Sequence, residues 1–317
     1  MIFLFFLFPQ MKNRKKGQTM STQKEPVFRG AATALVTPFN ENGIDYPALA
    51  AMIEWQIGAG IDALVFAGTT GERSTLSGEE HRALLRFAVR QVAGRVPVIA
   101  GTGGNDTAFS LALSRDACEI GCDALLLVTP YYNKCTPSGM LRHFFTIADA
   151  VTKPVLLYNV PSRTGVDIPL PVYRELARHE RIAGVKEASG NLSAVAGLLS
   201  ECGDQLPVYT GNDDQTVPVM ALGGLGAISV FSGILPGEMH ALCAACLAGD
   251  FKKAAALQLK YLPLMHALFS EVNPIPVKTA LGLMGCCRPD LRLPLCKMEK
   301  ENKEKLAKLL GEFHLLP

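Results

Sequence analysis

The chain has little excess charge of either sign: 31 Lys and Arg residues face 29 Asp and Glu residues, a formal net charge of +2, with no basic block in its body. Phosphate backbones and anionic lipids are captured by concentrated positive fields, so neither nucleic acid nor a charged membrane surface is implied as a partner. Small molecules remain. A disulfide or zinc framework is also missing. The nine cysteines are odd in number and irregular in spacing, and Cys243-Ala-Ala-Cys246 has no second pair and lies in an Ala-rich helical stretch. Cys286-Cys287 has no nearby histidine to activate it and reads as packing. Reduced thiols place the chain in the cytoplasm, and without a clustered ligand set no metal is expected. Membrane-length apolar runs are lacking too. Met1-Ile-Phe-Leu-Phe-Phe-Leu-Phe8 holds only eight residues, against roughly 20 for a span. It precedes the basic Lys12-Asn-Arg-Lys-Lys16, the reverse of the order in a secretory signal. Translation is expected to begin at Met20 or Met11, with residues 1–27 an extension outside the folded unit.

What the chain does have is a repeat of apolar runs, each ending in Gly, Thr, Pro or Asn. Eight occur: 30–39, 62–68, 96–103, 123–130, 154–161, 182–189, 206–212 and 226–232. Their spacing of roughly 20 to 35 residues fits a strand plus a returning helix. Helical segments are expected between them at 77–93, 105–120 and 137–151, the first opened by a capping box of Ser77 and Glu80. Continuous rather than alternating apolar strands imply a parallel sheet covered on both faces. Eight strand-helix units imply a (β/α)8 TIM barrel over residues 28–240. An open doubly wound sheet is the alternative, but no G-x-G-x-x-G follows the first strand, and Gly101-Thr-Gly-Gly-Asn105 lacks both the Walker lysine and the dinucleotide spacing. Residues 241–317 read as a C-terminal helical appendage packed on the barrel, with helices at 239–247, 251–268 and 298–310 and a rigid two-proline turn at Asn273-Pro-Ile-Pro-Val-Lys278.

Lys186 stands in Ile182-Ala-Gly-Val-Lys-Glu-Ala-Ser189, where it interrupts an apolar run. Desolvation disfavours an ammonium, so a lysine at the inner end of a strand can carry a free amine and attack a carbonyl. Taken alone, a lysine that snorkels from the strand end into solvent is the blander reading. Its company favours chemistry. In a barrel of this kind functional groups gather at the carboxyl ends of the strands. Thr69 and Thr70, Tyr131 and Tyr132, Tyr158 and Arg163, Lys186, and Gly211 to Asp214 all fall at such ends. Threonines in turns usually cap, Tyr pairs usually pack and an Arg in a Pro-Ser-Arg-Thr-Gly turn usually meets solvent, but here they converge on one rim.

Gly68-Thr-Thr-Gly-Glu72, Thr129-Pro-Tyr-Tyr-Asn133, Tyr158-Asn-Val-Pro-Ser-Arg-Thr-Gly165, Gly184-Val-Lys-Glu-Ala-Ser-Gly-Asn191 and Asn273-Pro-Ile-Pro-Val-Lys278 occur in this order. With these motifs, residues 28–312 resemble the pyruvate-dependent class I aldolase family, and within it the dihydrodipicolinate synthase branch rather than the N-acetylneuraminate lyases, which do not place an arginine where Arg163 stands. The resemblance implies pyruvate and L-aspartate-4-semialdehyde as substrates, condensed through a Schiff base on Lys186 without any other cofactor. It implies Tyr158 as proton carrier, Thr69 and Tyr132 as a hydroxyl relay with Tyr132 lent by a neighbouring subunit, and Thr70 with Thr69 as the seat of pyruvate's carboxylate. Arg163 would grip the semialdehyde, and Gly211 and Ile228 would border the pocket. A homotetramer built from tight dimers is implied as well. Other pyruvate-dependent aldolases, 2-keto-3-deoxy sugar acid lyases, and a non-catalytic pyruvate-binding barrel are the alternatives.

The resemblance also implies a lysine-effector site matching Arg73, Ser74, Gly78, His81, Asn105, Phe109 and Tyr131. Lysine-inhibited members carry a histidine where this chain has Gly78 and a glutamate where it has Phe109. A buried ammonium without its carboxylate is costly, so lysine feedback is expected to be weak or absent.

Overall fold

The computed structural model describes residues 24–317. The proposed starts at Met11 or Met20 lie outside the described residues. The expected barrel is present: eight parallel strands close in the order β1, β10, β9, β8, β7, β6, β5, β4 and back to β1. They are β1 (Gly30–Ala34), β4 (Ala63–Phe66), β5 (Val98–Gly101), β6 (Ala124–Val128), β7 (Val155–Asn159), β8 (Ile182–Glu187), β9 (Val208–Thr210) and β10 (Gly226–Ser229). A small antiparallel hairpin of β2 (Phe39–Asn40) and β3 (Gly43–Ile44) stands apart from the barrel.

The helices returning between strands are α1 (Tyr46–Gly58), α2 (Gly78–Val92), α3 (Thr107–Ile120), α4 (Pro137–Asp149), the short α5 (Pro161–Thr164), α6 (Leu170–Ala177), α7 (Leu192–Cys202), α8 (Thr216–Ala221) and α9 (Pro236–Leu247). Their starts follow the side-chain chemistry. Ser77 and Glu80 form the reciprocal capping box expected before α2, and Asp106, Thr136 and Asn191 cap α3, α4 and α7 by accepting a backbone N–H three residues on. The boundary drawn between 240 and 241 falls inside α9, because Met239, Leu242, Cys243 and Cys246 continue one buried stripe along it.

Side chains alternate along each strand, yet both faces are buried, which is why the strands read as unbroken apolar runs. In β4, Ala63 and Val65 join Ala32, Ile99, Leu126, Leu156 and Ile228 inside the barrel. Leu64 and Phe66 join Leu85, Leu125, Phe144, Leu157 and Leu242 in the layer between sheet and helices. The floor is closed by Phe28, stacked on Tyr209 with ring centroids 4.3 Å apart. The tail drawn through residue 27 differs from what is seen at its end: the Lys24 ammonium donates to the carbonyls of Ala177, His179 and Ile182 at 2.5–2.7 Å. It thereby caps the carboxyl end of α6.

Beyond the barrel lie α10 (Phe251–Ala267), α11 (Ile275–Leu283) and α12 (Lys300–Glu312). The segment expected as a rigid turn at 273–278 is instead mostly the first turn of α11. Proline is tolerated there, since the first N–H groups of a helix have no partner within it. Among the described residues no helix is long and apolar enough to cross a membrane.

Candidate active site

A cavity of about 480 Å³ opens at the carboxyl end of the barrel, lined among others by Thr69, Thr70, Tyr158, Arg163, Lys186 and Gly211. Six of the eight catalytic and substrate-binding residues expected from the sequence thus come together. Tyr158 and Lys186 are paired across β7 and β8 in register. Lys186 Nζ sits 4.5 Å from the centre of the Tyr158 ring. Lys186 is 6% exposed, and among the described residues it makes no ion pair. The stem of Lys186 reaches this position only because residue 211 lacks a side chain: a Cβ there would lie 2.7 Å from both Lys186 Cε and Ala188 Cβ.

The outward-facing neighbours of the same two strands are locked together behind the site. Asn159 and Glu187 are partners in the next register position. The Asn159 amide donates to Glu187 Oε2 at 3.0 Å and to Asp167 at 2.6 Å. The Glu187 carboxylate also accepts from the Tyr173 hydroxyl at 2.9 Å and the Ser189 N–H at 2.8 Å. Burial and the adjacent negative charge push the Tyr173 phenol well above its ordinary range. Beneath the opposite wall, buried Asp213 accepts the N–H groups of Val230 and Phe231 at 3.1 and 2.8 Å. Burial raises its pKa, opposed by these hydrogen bonds and by the charge of Lys186.

The third wall is the turn after β4. The N–H groups of Glu72 and Arg73 donate back to the carbonyls of Thr69 and Gly68, and Thr37 Oγ1 donates to the Gly71 carbonyl at 2.7 Å. Among the described residues no acceptor is found for the N–H groups of Thr69 and Thr70, so the turn has donors to offer an anion. Long-range contacts hold the turn. Lys278 Nζ lies 2.5 Å from Glu72 Oε1 with both side chains wholly buried, Arg292 donates its N–H to the other Glu72 oxygen at 3.0 Å, and Asn273 donates to Thr70 Oγ1 at 3.0 Å. Arg163 in turn donates to the Asn273 carbonyl at 3.1 Å. The sequence motif that contains Asn273 and Lys278 assigns neither residue a role. A lysine and an asparagine in an Ile-Pro-Val context were the available signal.

Two expected residues stand outside the cavity lining. Ile228 is fully buried in the barrel interior. Tyr132 is 89% exposed, with a left-handed backbone at φ 68°. Of the seven effector-site residues, Arg73, Ser74, Asn105, Phe109 and Tyr131 line a second cavity of about 430 Å³ that also touches Thr69 and Arg163. The Arg73 guanidinium lies 5.1 Å from the Phe109 ring centre. Gly78 and His81 are not part of its lining. His81 is buried against the barrel with Nε2 3.0 Å from the Gly101 carbonyl.

A closed barrel whose carboxyl rim holds a buried amine beside a phenol, with a donor turn and an arginine across the opening, has the layout of an enzyme acting on small carbonyl acids. The chain belongs to the dihydrodipicolinate synthetase family, which it matches over residues 27–313. It is 49% identical over 292 residues to a 4-hydroxy-tetrahydrodipicolinate synthase of Thermoanaerobacter sp. (strain X514), covering 92% of this chain and 98% of that protein. A protein of the same name from Geobacter metallireducens is 49% identical over 290 residues, 92% of this chain and all of that one. The crystal structure of dihydrodipicolinate synthase from Aquifex aeolicus superposes with a TM-score of 0.90 at 43% identity, covering 91% of this chain and 99% of that one.

Proposed function

We propose that the protein condenses pyruvate with L-aspartate-4-semialdehyde to 4-hydroxy-tetrahydrodipicolinate, a step toward diaminopimelate and lysine. The observation that carries this reading is the Lys186 amine, without an ion-pair partner among the described residues and 4.5 Å from the Tyr158 ring in the same cavity as Thr70 and Arg163. Lys186 attacks the keto carbon of pyruvate, and loss of water leaves an imine. Removal of a methyl proton gives the enamine, whose carbon attacks the aldehyde of the second substrate. Tyr158 carries the protons of these steps. The amine of the semialdehyde then attacks the imine carbon, closes the ring and releases Lys186.

Pyruvate's carboxylate rests on the donor turn at Thr69 and Thr70, and the planar guanidinium of Arg163 meets the carboxylate of the second substrate. Gly211 leaves room for the lysine stem, and Ile228 supports the pocket from below. Thr69 and Tyr132 form the hydroxyl relay, with the exposed Tyr132 reaching the cavity of a neighbouring subunit in a homotetramer of tight dimers. The Schiff base is the only cofactor in this scheme, and the nine cysteines without a disulfide framework fit a place in the cytoplasm. With the Arg73 guanidinium over the Phe109 ring where lysine-inhibited members have a carboxylate, millimolar lysine is expected to inhibit weakly or not at all.

The test is turnover of pyruvate with the semialdehyde, coupled to dihydrodipicolinate reductase and followed by NADPH loss, with N-acetylneuraminate cleavage run alongside. The expected result is coupled turnover that vanishes in Lys186→Ala. Cleavage of the sugar acid without coupled turnover would sink the substrate assignment and leave Arg163 without its role.

A further inference from the structure

Asn273 is 5% exposed and lies on the cavity wall between the two anchor points assigned above. Its side chain and its backbone reach different ones: Nδ2 donates to Thr70 Oγ1 at 3.0 Å, and its carbonyl oxygen accepts from Arg163 at 3.1 Å. A hydroxyl has one proton and two lone pairs. In this orientation, which leaves Asn273 Oδ1 buried without a partner among the described residues, the amide nitrogen can only donate, so it occupies a lone pair of Thr70 and cannot take its proton. Thr70 itself is 2% exposed, with little freedom to satisfy that proton in solvent. The hydroxyl proton is thereby left for a ligand in the cavity, and the contact makes Thr70 a donor.

We propose that Asn273 is a positioning residue that sets the polarity of Thr70, fixing its hydroxyl as a hydrogen-bond donor to the carboxylate of the first substrate. The inference rests on the pyruvate reading of the cavity. It assigns the appendage a part in the site: a residue about 200 positions downstream determines what the turn after β4 can bind. Because Arg163 is held by the backbone carbonyl of residue 273, a side-chain change there leaves the second anchor in place. The first substrate should be affected and the second largely spared.

Asn273→Asp is nearly isosteric and inverts the contact, since a carboxylate accepts the Thr70 proton. The experiment measures half-saturating pyruvate by borohydride trapping, and both KM values and kcat by coupled turnover, in wild type, Asn273→Asp, Thr70→Val and the double variant, each with its Tm. Hydrogen bonds to a charged group contribute roughly 1.5–3 kcal/mol, so half-saturating pyruvate should rise at least about tenfold in Asn273→Asp. The KM for the semialdehyde should change by less than about threefold. Direct repulsion between Asp and pyruvate would persist without the hydroxyl and multiply with its loss, whereas an effect carried through Thr70 makes the two substitutions together cost less than the product of their separate effects. Multiplicative effects, or equal rises in both KM values with a falling Tm, would mark a merely structural contact and overturn the proposal. A wild-type chain that traps pyruvate alongside an Asn273→Asp chain with unchanged half-saturation would overturn it alone. No adduct in the wild-type chain would overturn the pyruvate reading and this inference with it.

Discussion

Two lysines of this chain are buried against the same rim, and their surroundings give them opposite characters. Lys278 is wholly buried, 2.5 Å from Glu72 Oε1, 2.7 Å from the Asp290 carbonyl and 4.1 Å from the centre of the Phe39 ring. Burial pulls its pKa below the ordinary lysine value, and the charge of Glu72 opposes that shift. Lys186 is buried nearly as deeply, but it faces a cavity and Tyr158 and has no carboxylate partner among the described residues. Depth of burial alone does not distinguish a reactive amine. What sets Lys186 apart is that it makes no ion pair among the described residues and has open space in front of it for a carbonyl. Lys278 instead ties α11 to the turn after β4, and it shapes the site without entering it.

Exchanging the fates of the two lysines is the strongest way to break this contrast. Lys186→Ala should lower turnover at least about a thousandfold and abolish borohydride trapping, with little change in Tm. Lys278→Met should do the reverse. It strands the buried Glu72 carboxylate, which costs roughly 3–5 kcal/mol, while the folded fraction still traps pyruvate on Lys186. Adding Glu72→Gln should restore part of that loss, measured as the urea midpoint. A Lys278→Met protein as stable as wild type, or an adduct mapped to residue 278, would erase the distinction.

The contrast can be sharpened by moving the amine rather than deleting it. In Gly211→Ala the new Cβ falls 2.7 Å from Lys186 Cε, closer than such atoms approach. The flexible lysine stem yields more readily than the backbone around it. Activity should fall about 10- to 100-fold, on the scale of a 1 Å misplacement, and stability by roughly 1–3 kcal/mol from overpacking. The rate of pyruvate-dependent inactivation by borohydride reports the amine directly. An unchanged rate would show that Lys186 needs no fixed position.

The barrel was legible because its evidence is local and repeated: eight apolar runs, the Ser77 and Glu80 cap, and turn residues at each strand end. Lys186 was legible for a similar reason, as a charge inside such a run. The hairpin at 39–44 was not, since two strands of two residues leave no periodicity to read. The start of α11 reads as a turn in the sequence because proline is a breaker in most positions and a helix starter in one. The ion pair of Glu72 with Lys278 and the bond from Asn273 to Thr70 link residues 206 and 203 positions apart. No spacing rule reaches that far. Family resemblance could name the motifs that contain them, but only the folded chain places their side chains against each other.

The smallest effect concerns buried histidines, where the same rule about partners applies to a different titration. His81 and His143 are nearly inaccessible, and each leaves one ring nitrogen, Nδ1 and Nε2 respectively, without a partner among the described residues. Burial pushes both down to about 4 from the ordinary value near 6.5. Between these limits the unfolded chain binds a proton at each position and the folded chain does not. Their contribution to stability is therefore intact above pH 6.5 and is lost as pH falls from 6.5 toward 4. At pH 5.5 the loss is about 1 kcal/mol per histidine. Replacing His143 with Gln, which keeps a polar group near Thr107 but cannot titrate, should flatten the fall in urea-unfolding free energy between pH 7 and 5.5 by that amount. Parallel pH profiles for the variant and the wild type would mean that His143 finds a proton partner in the fold, placing it with Lys278 rather than with Lys186.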